Sequence, residues 1–138
     1  MNNLKTPILI SRISKLQRIY LNKRLKPFNL DGTQGVILFN IKEKNKVTSK
    51  ELVEMGIIEK ASVSKTLTKL TNLGYIFKNP SSTDGRSFLI TLTNKGEHIA
   101  KEVNNVAEEL DSIFKEILSV SSLNEINTLF SHLEKIIK

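Results

Sequence analysis

One stretch constrains this chain more than any other, because its pattern changes three times in quick succession between Thr48 and Leu92. Thr48 and Glu51 stand in the T-x-x-E spacing of a capping box, which starts a helix. Only a short helix fits: Leu52, Val53 and Met55 are its apolar residues, and Gly56 closes it. A second helix begins at Glu59 or Lys60, runs to Leu73 and stops at Gly74. Val63, Leu67 and Leu70 fall at i, i+4 and i+7 and predict one buried stripe. The period then drops to two. Tyr75 to Asn79 predicts one extended arm and Ser87 to Leu92 the other, with Phe88, Ile90 and Leu92 alternating on one face. Asp84-Gly85 is a turn dipeptide. The loop from Pro80 to Arg86 exceeds a two-residue turn, so its tip is expected to project.

Short helix, tight turn, longer helix and hairpin, in that order, describe a helix-turn-helix followed by a β wing. Helices flank this segment on both sides. Thr6-Pro7 predicts a helix start with threonine as cap, and Ile8, Leu9, Ile13, Leu16 and Tyr20 recur at three- and four-residue spacing up to Pro27. Asp31 with Gln34 predicts a second capping box, opening a helix with Val36, Ile37, Phe39 and Ile41 on its apolar side and its end at Lys44-Asn45. Thr93 is expected to cap the longest helix, whose Ile99, Val103, Val106, Leu110, Ile113 and Ile117 approximate a heptad seam. Ser122 with Glu125 predicts a third box, opening a last helix with Leu123, Ile126, Phe130, Leu133 and Ile137 on one side. The expected fold class is mainly α with a small β wing.

Charge divides the chain in a way that bears on partners. The net charge is +7; residues 1–26 carry seven Lys/Arg and no acid, and residues 60–95 carry six against one acid. Residues 96–138 reverse the balance, with four basic and eight acidic groups. Basic blocks beside an acidic one predict a polyanion-binding face separate from a face with another task. No cysteine is present, which excludes disulfides, thiol catalysis and thiolate sensing. No apolar run approaches the ~18 residues of a membrane span, and no signal-peptide pattern opens the chain, so a cytoplasmic location is expected.

The outer side of the helix 60–73 has the character a DNA groove requires. At ~100° per residue, the side opposite Val63, Leu67 and Leu70 carries Ala61, Ser62, Ser64, Lys65, Thr68, Lys69 and Asn72, with no acid. Small leading residues let a helix enter a major groove; hydroxyls and lysine can address base edges, and alanine can touch a thymine methyl. Lysines also neutralise phosphates and release counterions. At the hairpin tip, Arg86 suits a narrow minor groove, whose concentrated negative potential attracts an inserted guanidinium. An exposed Asp84–Arg86 pair contributes little stability, but Asp84 can hold the Arg86 rotamer ready and so reduce the ordering cost of binding.

The segment "DGRSFLITLTNKG", Asp84 to Gly96, resembles the wing motif of the MarR family of winged-helix transcription regulators. Upstream, "VTSKELVEMGIIEKASVSKTLTKLTNLGYI" is similar to that family's helix-turn-helix. The resemblance implies a single MarR-like domain over residues 1–138, with a winged helix-turn-helix region at 30–95 and a helical dimerisation region from 1–27 and 96–138. It implies a homodimer that binds near-palindromic double-stranded DNA operators and usually represses. Ser62, Ser64, Lys65, Thr68 and Lys69 would lie near the major groove, Arg86 in the minor groove, and Asp84 behind it. Many such proteins release DNA when a small phenolic or anionic effector binds. The sequence departs from the family at Lys65, where arginine is common and reads guanine bidentately, and at Glu59, a poorer cap than the usual aspartate.

Other function classes find less support. An enzyme needs a nucleophile, base or metal cluster, and the chain has no glycine-rich phosphate loop, serine elbow or paired histidines; no cofactor or metal is expected. His98 and His132 have no ligand-spaced partners besides Glu97 and Glu102. The basic helix 5–26 could lie on anionic lipid, but its Pro-capped start and apolar stripe point to packing, so no membrane partner is expected. The competitors are a winged helix that binds protein and a non-specific DNA-binding protein without ligand response.

Overall fold

In the computed structural model the described residues are 4–80 and 87–138, and the chain divides into two compact units, Met1–Val106 and Ala107–Lys138. Helix α1 (Thr6–Leu25) passes into a 3-10 turn at Lys26–Phe28, where Pro27 forbids continuation. Helix α2 (Gly32–Lys44) follows, then strand β1 (Val47–Thr48), helix α3 (Ser49–Glu54) and helix α4 (Lys60–Asn72). Strands β2 (Ile76–Pro80) and β3 (Phe88–Leu92) form the hairpin, and helix α5 (Asn94–Lys115) begins directly after it. Helix α6 (Val120–Ile137) ends the chain.

The caps explain most of these boundaries. Asp31 accepts from the backbone of Gln34 at 2.8 Å while Gln34 accepts from the backbone of Asp31 at 2.9 Å, so both halves of the expected box form. Thr48 and Glu51 do the same, at 3.1 and 3.0 Å. Thr93 caps α5 as expected, its hydroxyl accepting from Gly96 N–H at 2.9 Å. Glu59 stands at the N-cap of α4 and makes no side-chain cap hydrogen bond, as its identity predicts.

Two caps differ from expectation. The N-cap of α1 is Lys5, without a side-chain bond, and Thr6 is already helical. The cap of α6 is Ser119, which accepts from Ser122 N–H at 3.1 Å, so the Ser122–Glu125 pair lies inside the helix. The expected seam of the long helix is also shortened: α5 stops at Lys115, before Ile117.

The sheet has an unexpected third member. Strand order is β1-β3-β2, all antiparallel, with Val47 opposite Ile90 and Ile76 opposite Leu92. The hairpin arms begin one residue later than the pattern suggested, at Ile76 and Phe88, and Pro80 still pairs with Phe88. On the predicted inner face Ile90 is fully buried, Leu92 half-buried and Phe88 exposed at its tip end.

The core of the first unit gathers Leu25, Ile37, Leu38, Ile41, Leu52, Val63, Leu67, Leu70 and Ile90, joined by Ile99 and Val103 of α5. Of the α1 stripe only Tyr20 packs against it. Ile8, Leu9, Ile13 and Leu16 are all exposed, Leu16 by 66%. Only Leu25, at the end of that helix, is buried. In the second unit, Ile126, Phe130, Leu133 and Ile137 of α6 are likewise exposed.

Candidate nucleic-acid interface

Helix α4 is seated by Val63, Leu67 and Leu70, with Thr66 buried beside them. Ala61, Ser64, Lys65, Thr68 and Asn72 are exposed on the opposite side, and Ser62 and Lys69 are half-buried at its margin. The side chains expected from the sequence to face DNA therefore share one side of α4. Two of its side chains are already engaged. Thr68 donates its hydroxyl to Ser64 O at 3.1 Å. Lys69 donates from Nζ to Gln34 Oε1 at 2.9 Å, the same oxygen that accepts from Asp31 N–H. The ammonium of Lys69 is thus held towards the start of α2, with donors left over for an anion.

The exit of α4 is fixed with unusual closeness. Gly74 takes φ +78, a left-handed conformation that ends the helix without a Cβ penalty. Tyr75 N–H then donates to Leu70 O at 3.0 Å. The Tyr75 side chain is buried, and its hydroxyl donates to Phe28 O at 2.7 Å. Burial pushes the Tyr75 phenol up from its ordinary pKa, so it keeps the proton that this bond requires. From α5, Thr93 donates its hydroxyl to Gly74 O at 2.6 Å, and Lys95 donates to Leu73 O at 3.2 Å with its ammonium 5.5 Å from the Tyr75 ring centre. Gly96 lies so near that a Cβ there would stand 1.8 Å from Tyr75 O. Strand β2 and helix α5 thus leave the end of α4 in set directions.

The wing is anchored to α3 by a pair of serines. Ser49 Oγ and Ser87 Oγ are 3.1 Å apart; Phe88 N–H donates to Ser49 Oγ at 3.0 Å and Lys50 N–H to Ser87 Oγ at 3.3 Å. Lys78 of β2 sets its ammonium 4.5 Å from the centre of the Phe88 ring. Between wing, α3 and the start of α4 runs a channel of about 490 Å³, bordered by Lys50, Lys60 and Lys78 among others. Asp84 and Arg86 lie outside the described residues.

Comparisons with known proteins agree with this arrangement. Residues 30–96 match the family described as a winged helix DNA-binding domain. The HTH-type transcriptional regulator BilQ of Clostridioides difficile (strain CD3) is 25% identical over 118 residues, covering 86% of this chain and 80% of that protein. A MarR protein from Peptoclostridium difficile superposes with a TM-score of 0.84 at 21% identity, covering 99% of this chain and 91% of the other. A mutant MarR from E. coli complexed with operator DNA gives 0.78 at 20% identity, covering 92% and 91%. The chain has the fold of the MarR-type winged-helix proteins.

Among the described residues, no group of three or more His, Asp or Glu is arranged to hold a metal ion, and no helix is long and apolar enough to cross a membrane. What the sequence did not disclose is the convergence of Lys50, Lys60 and Lys78. Each was visible as a charge, but Lys50 and Lys78 meet only because β1 and the serine pair bring α3 against β3. The role of Tyr75 was also hidden, since it was read only as the first residue of a strand.

Proposed function

We propose that this chain is a MarR-type transcriptional regulator that acts as a homodimer on near-palindromic double-stranded DNA operators, as a repressor. In this reading α4 enters the major groove with Ala61, Ser62, Ser64, Lys65, Thr68 and Lys69, Arg86 enters the minor groove, and Asp84 supports it. The observation that carries the proposal is the acid-free, small-residue outer face of α4 beside an antiparallel hairpin. A structural relative complexed with operator DNA supports the same mode.

Dimerisation through residues 1–27 and 96–138 is supported by apolar side chains that the single chain leaves open to water. On α1 these are Ile8, Leu9, Ile13 and Leu16; on α6 they include Phe130, 64% exposed, and Ile137, 82% exposed. Rows of exposed large apolar side chains on a helix mark an interface. A two-fold pair reads two half-sites about one helical turn apart, which raises modest affinity to specific affinity.

A phenolic or anionic effector acts, in the same reading, by moving the DNA-binding region. The cleft between α1 and α2 lined by Arg18, Leu21, Thr33 and Val36 has about 50 Å³, well under the ~300 Å³ at which ligand pockets begin. The Arg18 guanidinium there donates to the Thr33 hydroxyl. An effector entering at this point has to part α1 from α2 and displace that bond.

The test is selection of genomic fragments by the purified protein. Enrichment of fragments sharing an inverted repeat is the expected result. Recovery of protein partners with no enrichment of any duplex would replace this reading with that of a protein-binding winged helix.

A further inference from the structure

Gln34 serves two helices at once. It is the N3 residue of the α2 capping box, where its Oε1 accepts from Asp31 N–H at 2.9 Å. The same oxygen accepts from Lys69 Nζ of α4, also at 2.9 Å. Both partners can only donate, so the amide oxygen and not the amide nitrogen must face them, and its two lone pairs are filled. Gln34 and Lys69 are both half-buried where they meet.

The acceptor is not free to follow the lysine. Gln34 N–H donates to Asp31 Oδ1 at 2.8 Å, which closes the box. The two residues between them are tied to α1: Gly32 N–H donates to Asn22 Oδ1 at 2.6 Å, and the Thr33 hydroxyl accepts from the Arg18 guanidinium. A Cβ at Gly32 would stand 3.1 Å from Leu21 Cβ, so α1 lies close against this turn. Lys69 therefore leans on a turn of α2 that α1 clamps from the other side. A lysine on its flexible four-carbon stem otherwise samples many rotamers.

The chemistry of the acceptor matters as much as its position. Glutamine and glutamate both serve at N3 of a capping box, and the α3 box of this chain uses Glu51, whose Oε1 accepts from Thr48 N–H at 3.0 Å. A carboxylate at position 34 would cap α2 and would also neutralise Lys69. The amide engages one of the three ammonium donors and leaves the charge whole.

We propose that Gln34 is a positioning residue for DNA binding: it holds Lys69 in one pose, still charged, so that this side chain is ordered before DNA arrives. The proposal rests on the DNA-binding reading given above and adds to it a residue that acts through Lys69.

The experiment measures wild type, Gln34→Met, Lys69→Ala and the double variant on a short mixed-sequence duplex across a salt series. Gln34→Met keeps the length of the side chain and removes the acceptor. It is expected to weaken binding about two- to tenfold, the ordering cost of one long side chain, and to leave the slope of log affinity against log salt unchanged. In the Lys69→Ala background the same substitution should change nothing, since no lysine remains to be held. A merely structural role in the cap would weaken binding equally in both backgrounds; that result, or no weakening in either, overturns the proposal. Gln34→Glu keeps both the acceptor and the cap, and pairs Lys69 with a carboxylate. Its slope should be shallower by about 0.9, as if the Lys69 contact were removed. A Gln34→Glu slope equal to that of wild type would show that position 34 does not govern the lysine, and this arm decides even if Gln34→Met loses its fold. If wild type shows no salt-dependent binding, the DNA-binding reading fails and this proposal with it; failure of the variants alone leaves that reading intact.

Discussion

Substituting Gly96 by alanine sets two physical effects against each other with opposite signs. Gly96 sits in the first turn of α5. Propensity alone says that alanine should stabilise a helix there by ~0.5–1 kcal/mol. Packing says otherwise. The added carbon would stand 1.8 Å from the Tyr75 carbonyl oxygen and 2.7 Å from its carbonyl carbon. Both are backbone atoms, so no rotamer change relieves the contact; α5 must withdraw from the end of α4 by more than an ångström. That withdrawal strains the Thr93 N–H bond to Tyr75 O at 3.1 Å and the Thr93 hydroxyl bond to Gly74 O at 2.6 Å. Overpacking costs ~1–3 kcal/mol and each weakened hydrogen bond about 1 kcal/mol. Set against the propensity gain, a net destabilisation of about 2 to 4 kcal/mol is expected. Urea unfolding followed by circular dichroism, at one fixed protein concentration because a dimer's stability depends on it, measures this directly. The midpoint should fall by about 1 to 2 M at a typical slope. An unchanged or raised midpoint would refute the close approach of α5 to Tyr75 on which the placement of α4 rests.

Other expectations concern the same surfaces. Arg86→Ala should weaken operator binding by at least ~1 kcal/mol, the size of one specific contact; an affinity equal to wild type would leave the wing without a reading role. Lys69→Ala should weaken all duplexes by a similar factor and shallow the salt slope by about 0.9, whereas a loss confined to one sequence would make Lys69 a base reader. Tyr75→Phe should cost about 1 to 2 kcal/mol in a thermal melt, because it strands the Phe28 carbonyl; an unchanged melt would mean that water replaces the bond. The capping box adds a pH signature. The hydrogen bonds from Thr48, chiefly its backbone N–H, hold the Glu51 carboxyl below the usual carboxylate range. A lowered folded pKa contributes stability that is present above the unfolded value of about 4.3 and disappears as pH falls through the lowered one. The gap in unfolding midpoint between wild type and Glu51→Ala should therefore be full at neutral pH and narrow in strong acid; a gap independent of pH would count against the box.

Local signals in the sequence carried far where they were chemical. Asp31, Thr48 and Thr93 each announced a helix start, since a short oxygen-bearing side chain three residues before a backbone N–H has few other uses. The same logic erred at Ser119 and Ser122, because the run Ser119-Val120-Ser121-Ser122 offers several hydroxyls and only the direction of one bond decides among them. Strand β1 escaped because two residues cannot show a period, and its existence depends on Val47 meeting Ile90 far along the chain. The α1 stripe taught a different lesson. Its spacing reported truthfully that one side is apolar, but spacing says nothing of what covers that side, and the single chain leaves all of it but Tyr20 exposed. The exposed outer side of α4 was legible because a helix displays its own sides at a known angle. The lysine channel was not, since three segments contribute to it and only tertiary contact brings them together.

The central claim is that the outer face of α4 lies in the major groove of duplex DNA, once per subunit of a symmetric pair. Dimethyl sulfate protection on a fragment recovered by selection tests it most directly, because the reagent attacks guanine N7 on the major-groove floor. The account predicts two protected patches centred about 10 base pairs apart and related by two-fold symmetry, both lost in a variant with bulky side chains at Ala61 and Ser64. Guanines that remain fully reactive under saturating protein, or a single patch with no symmetric counterpart, would contradict it.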